Sequence, residues 1–115
     1  MSGFVFKVVA AIEWRAALAR GAYAGSADDR RDGYIHLSSA CQLRGTLDKH
    51  FAGRKDLLLI ALEPAKLSDG LKWEPSRAGE LFPHFYGDLP VGAAQWTRPL
   101  PLDARGRHVV GEDVD

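Results

Sequence analysis

At 115 residues, 46% hydrophobic and 26% charged, the chain has the size and balance of one soluble globular domain with a real core. Fifteen basic residues offset fifteen acidic ones, so no net field draws it to a polyanion and generic nucleic-acid binding is not expected. A single cysteine, Cys41, excludes an intramolecular disulfide and a thiolate zinc cluster. With no signal-peptide core at Met1–Lys7 and no apolar run near the ~20 residues of a membrane span, a cytoplasmic monomer or small homo-oligomer without membrane contact is expected.

Phe4 to Val9 is rich in β-formers and reads as a strand. Lys7 within it shares a face with Val5 and Val9, and its plain reading is an edge or snorkelling lysine. Ala11 to Arg20 is helical, with Ile12 and Ala16, then Trp14, Ala17 and Leu18, at three- and four-residue spacing; Gly21 stops it. Ala22 to Gly33 has turn residues, mixed charge and no apolar period, and reads as a loop.

Gly33-Tyr34-Ile35-His36-Leu37-Ser38-Ser39 is a short strand running into a capped helix. Alternation sends Ile35 and Leu37 to the core and Tyr34, His36 and Ser38 to the other face, where three hydrogen-bonding side chains in a row suggest a cleft. Ser39 and Gln42 have capping-box spacing, and Leu43, Leu47 and Phe51 form the core stripe of a helix with Gly53 as its stop. His50 reads as a boundary histidine near the helix end. Leu57 to Leu62 is a strand buried on both faces, and Leu71 to Glu74 a short strand after the Asp69-Gly70 turn. Val91 to Arg98 is the last strand, and residues 104–115 form a tail with a frayed acidic end and a brief strand at Arg107–Val110. Residues 1–103 then make a single compact α+β domain, a mixed, mostly antiparallel sheet with two main helices.

A second polar cluster spans Trp73 to Gly87. If it is extended from Glu80 onward, Glu80, Phe82, His84 and Tyr86 share one face, so an acid, an imidazole and a phenol sit among aromatic walls. Arg77 adds a fork of donors suited to a carboxylate or phosphate. Each residue also has a plainer role: Arg77 bracing a loop through Glu74 or Glu80, His84 bonded to backbone at the core edge, Tyr86 packing its ring and exposing its hydroxyl. His-x-His, His-x-x-x-His and Glu-x-x-His spacings are absent, so no metal is expected, although His36, His84 and Glu80 could meet across strands. Ser38 and His36 point parallel rather than at each other, and there is no Gly-x-Ser-x-Gly elbow or phosphate-loop glycine pattern.

Asp32 to Ser39, the apolar strand ending in Glu63-Pro64, Leu71 to Glu74, and Gly79 to Gly87 together resemble the bacterial domain-of-unknown-function family 952, over about Phe6 to Leu100. That family is remotely similar to the ADP-ribosyltransferase fold. The comparison implies a basic residue on a first strand (Lys7), a serine motif on a second (Ser38) and a late glutamate (Glu80, or equally Glu74). By that likeness Glu80 would stabilise an oxocarbenium-like transition state at the glycosidic bond of NAD, with His36 and Tyr34 or Tyr86 contacting ribose and nicotinamide. Lysine stands where those enzymes carry arginine or histidine.

The expectation is a small-molecule site for a nucleotide- or sugar-like ligand, NAD among the possible ones. Glu80 and His36 would be the catalytic pair, and Lys7, Tyr34, Ser38, Trp73, Glu74, Arg77, His84 and Tyr86 the binding residues. The alternative is a module that binds a metabolite or peptide and turns nothing over.

Overall fold

The structure, a computed structural model, describes residues 3–114. Its strands are β1 (Val5–Ala10), β2 (Ala22–Tyr23), β3 (Ile35–His36), β4 (Leu57–Leu62), β5 (Leu71–Pro75), β6 (Leu81–Phe85), β7 (Leu89–Pro90) and β8 (Ala94–Pro99). Three α-helices interrupt them: α1 (Ala11–Arg20), α2 (Ala27–Asp32) and α3 (Ala40–His50). The α+β class stands, with every strand pair antiparallel.

The strands form two three-stranded sheets, β1-β4-β8 and β3-β6-β5, and a short β2-β7 pair. One reciprocal backbone bridge joins the sheets. Phe6 N–H donates to Ser38 O at 2.8 Å, and Ser38 N–H donates back to Phe6 O at 2.9 Å. Lys7 is the next residue on β1 after that bridge, and it is buried.

Because β4 is central in its sheet, its apolar run is buried on both faces. Ile60 and Leu62 join Val5, Val9, Trp14, Ile35 and Leu89 in one core. Leu57, Leu59 and Ala61 join Phe6, Val8, Leu43 and Leu47 in the other. Helix α3 covers the second core with Leu43 and Leu47. Its start is fixed by Ser39 N–H donating to Gln42 Oε1 at 3.0 Å, while Gln42 Nε2 donates to Leu81 O at 2.7 Å and ties the helix to β6.

Six expectations need correction. The last strand starts at Ala94, after a 3-10 turn over Val91–Ala93, and Arg107–Val110 forms no strand, only a single bridge from His108 to Leu102. Only Trp14 and Ala17 of the α1 stripe are buried, since Ile12 and Leu18 are exposed. The α3 helix is capped at Phe51, two residues before Gly53. The stretch read as a loop contains α2, capped by Ser26 and Asp29 and stopped by Gly33 at φ 87°. The chain after Asp103 packs back on the domain: His108 and Val114 are each 2% exposed, and Val114 belongs to the second core.

Candidate functional site

The site lies where the two sheets part. Strand β3 pairs with β6 so that His36 stands directly opposite His84, and Ile35 opposite Phe85. Alternation therefore turns both imidazoles to one side, and Tyr34 and Ser38 join them in lining a cavity of about 280 Å³. Lys7 enters from β1, Arg77 from the turn after β5, and Thr46 and His50 from α3.

Asp29 is the hub of one wall. It is 2% exposed and its carboxylate accepts from Lys7 Nζ (2.8 Å to Oδ2), His36 Nδ1 (2.6 Å), His36 N–H (3.0 Å) and Ser26 N–H (2.9 Å). Burial alone would push this carboxyl up, but the bonds from His36, Lys7 and Ser26 hold it well below the usual carboxylate range. Burial in turn pulls the Lys7 ammonium below the usual lysine range, opposed by Asp29. Lys7 also donates to His36 O at 3.0 Å. The snorkelling reading is thus corrected: the side chain turns inward and pins α2 and β3 to β1. Gly25 makes room, since a Cβ there would sit 2.8 Å from the Asp29 Cβ.

The two histidines are held differently. His36 Nδ1 faces Asp29 and its Nε2 lies 2.9 Å from Asp32 Oδ2, so both ring nitrogens are placed to donate. His84 is 2% exposed, and its Nδ1 lies 2.8 Å from Glu74 Oε1. Its Nε2 has no hydrogen-bond partner among the described residues. Glu74 comes into reach because it pairs with Phe82 on the neighbouring strand, one diagonal step from His84. The Tyr86 hydroxyl donates to the same carboxylate at 2.9 Å. Bonds from His84 and then Tyr86 keep the Glu74 carboxyl below its ordinary value. The Tyr34 ring stacks on His84 with centroids 4.0 Å apart and fixes the imidazole plane.

Of the expected site residues, Lys7, Tyr34, His36, Ser38, Arg77 and His84 line the cavity. Glu74 and Tyr86 form the outer bonds on His84. Glu80 does not reach the cavity: it is exposed and precedes β6 at the end of a turn. Trp73, opposite Pro83, faces away and is 48% exposed. Arg77 makes no ion pair with Glu74 or Glu80; its guanidinium lies over the Phe82 ring, 4.8 Å from the centroid. Asp29, Asp32, Thr46 and His50 were not anticipated. The signal for Asp29 was present as Ser26-x-x-Asp29, a capping-box spacing at the start of α2. Among the described residues no three His, Cys, Asp or Glu side chains form a group that could hold a metal ion. No helix there is long and apolar enough to cross a membrane.

The family model described as a protein of unknown function, DUF952, matches residues 8–97. The chain belongs to the DUF952 family. Among solved structures this DUF952 chain is similar to protein CC0527 of Caulobacter crescentus. The crystal structure of that protein is 41% identical, with a TM-score of 0.92 over 96% of this chain and 97% of that one. Its solution NMR structure is similar at 43% identity, with a TM-score of 0.82 over 91% and 90% of the two chains. No curated protein matches.

Proposed function

We propose that this DUF952 domain binds a small, polar, nucleotide- or sugar-like molecule in the cleft, with His84, oriented by Glu74, as its proton-transfer group. The observation that carries the reading is the free Nε2 of a buried imidazole on the cavity wall. The Glu74 carboxylate accepts the hydrogen bond from Nδ1–H, so that in the neutral imidazole the Nε2 lone pair is left to accept from a ligand hydroxyl or a water. Tyr34 blocks one ring face and Tyr86 steadies the carboxylate, so the geometry is preorganised.

The likeness to ADP-ribosyltransferases calls for a basic residue, a serine and a late glutamate at one site. Lys7 and Ser38 line the cleft, and Glu80 is outside it. Cleavage of the glycosidic bond of NAD would therefore be assigned to the Glu74–His84 pair: Nε2 takes a proton from the attacking water, the water oxygen bonds to the anomeric carbon, and neutral nicotinamide leaves with the bonding electrons. At about 280 Å³ the cavity sits at the small end of ligand pockets, so it would hold one half of a dinucleotide and suits a mononucleotide or sugar better.

A non-catalytic binding module is the second reading, favoured by the saturation of Asp29, whose bonds to Lys7, His36 and Ser26 leave that wall little freedom to move protons. Thermal-shift measurements with nucleotides, nucleosides and sugars, followed by product analysis on those that bind, separate the two. Turnover lost in His84→Asn and kept in Glu80→Gln supports the catalytic reading. Stabilisation without product supports the binding module, and no stabilisation by any of them overturns both.

A further inference from the structure

We propose that the Arg77 end of the cleft is a phosphoryl subsite, so that the ligand is a phosphorylated sugar or a mononucleotide. The inference rests on the cleft being a ligand site, as proposed above, and names the class of that ligand.

The cleft is polarised. One wall carries acids already engaged, Asp29 and Asp32 on Lys7 and His36, and Asp28 on Arg31. The other carries Arg77, half-buried, with no carboxylate within 4.0 Å among the described residues and no hydrogen bond from its guanidinium to protein. Its face is occupied by Phe82, which leaves the in-plane N–H groups directed past the ring. A guanidinium held in place without an acceptor is arranged for an anion that arrives from outside.

Two observations show that this placement is built. Ala78, next to Arg77, has φ 58°, a left-handed conformation unfavourable for any residue with a Cβ. The turn holding it is closed by Ser76 N–H donating to Glu80 O at 2.9 Å. Against the guanidinium lies Gly45 of α3, where a Cβ would come within 3.1 Å of Arg77 Nη2. The absent side chain at position 45 therefore lets the arginine lie close along the helix.

The groups beside Arg77 suit a tetrahedral oxyanion. His50 lies one helical turn after Thr46 on α3, and both line the cavity. Burial, then Arg77 and Lys49, hold His50 below its ordinary value, so at neutral pH it presents one N–H donor. Ser38, 4% exposed, has its hydroxyl 2.8 Å from that of Thr46. One of these hydroxyls donates to the other, and the second hydrogen is left for a further acceptor. A guanidinium fork, an imidazole N–H and a hydroxyl are donors carried by separate elements of the fold, and they match the three free oxygens of a phosphomonoester.

The test compares ribose with ribose 5-phosphate, adenosine with AMP, and inorganic phosphate alone, by thermal shift and equilibrium binding, in wild type, Arg77→Gln and Arg77→Lys. The expected result is that each phosphorylated compound binds wild type at least about tenfold more tightly than its parent. Arg77→Gln should remove most of that advantage, and Arg77→Lys, which keeps the charge and loses the fork, should retain part of it. Equal binding of the phosphorylated and parent compounds, or an unchanged ratio in Arg77→Gln, overturns the phosphoryl subsite and leaves the cleft reading in place. Absence of binding by all five compounds overturns both.

Discussion

His36 and His84 face each other across adjacent antiparallel strands, their ring centroids 5.8 Å apart, yet their nitrogens are committed unequally. His36 is held at both nitrogens by Asp29 and Asp32, and His84 at Nδ1 alone by Glu74. In its neutral form His84 is therefore the Nδ1–H tautomer. Nitrogen-15 spectra of the imidazoles should show a protonated Nδ1 and a bare Nε2 for His84. In Glu74→Ala the signals should move toward a mixture dominated by the Nε2–H form usual for a free histidine. A His84 pattern unaffected by the substitution would remove Glu74 from its role.

Lys7 and Asp29 form a buried ion pair, 6% and 2% exposed at the side chain. Removing one partner strands the other charge, so Lys7→Met and Asp29→Asn should each lower unfolding free energy by about 3–5 kcal/mol. The double variant should be less damaging than the sum, because neither charge then remains unpaired. Urea unfolding of the three proteins measures this, and strictly additive losses would show that the pair is not coupled.

Acid should loosen the same wall. The folded-state value of Asp29 lies below that of an unfolded carboxyl, about 3.9, so the unfolded chain binds the proton more readily. Its contribution is fully present above that value and is lost as pH falls through the range below it. Urea midpoints measured from pH 6 down to pH 3 should therefore fall in wild type and fall less steeply in Asp29→Asn. Parallel profiles would contradict the assignment.

Two glycines make opposite predictions. A Cβ at Gly70 would lie 2.7 Å from the Phe85 ring and 2.8 Å from Tyr86 O, so Gly70→Ala should cost about 1–3 kcal/mol by overpacking. It should also disturb the β5–β6 register that brings Glu74 to His84. At Gly45, within α3, the Cβ meets only the far end of the Arg77 side chain. Gly45→Ala should therefore gain up to about 1 kcal/mol from helix propensity, while shifting the guanidinium and weakening binding of ribose 5-phosphate. Thermal denaturation distinguishes the pair, and a destabilised Gly45→Ala would show that Arg77 cannot yield.

What could be read from the chain alone follows from which forces are local. Alternation at Tyr34–Ser38 and the Ser39/Gln42 spacing depend on near neighbours, and both describe the folded strand and helix cap. Helix α2 was hidden because Ala-Asp-Asp-Arg-Arg-Asp has no apolar face. It is held by caps at its ends and by Asp29 bonding to Lys7, 22 residues earlier in the chain. Choosing between Glu74 and Glu80 needed the β5–β6 register, which sets Glu74 against Phe82 and leaves Glu80 in the preceding turn. Val114 reads as part of a polar tail because its burial depends on a hydrophobic surface supplied by distant residues such as Phe6 and Leu100.

The most direct measurement is an NMR titration of the uniformly labelled protein with AMP and with ribose 5-phosphate, following the four histidine side chains. His36, His50 and His84 line the cleft, whereas His108 is buried elsewhere with its Nε2 on Arg54 O. Saturable shifts at the three cleft histidines with His108 unmoved are the predicted result. Shifts at none of them, or at His108 alone, would contradict a ligand site between the two sheets.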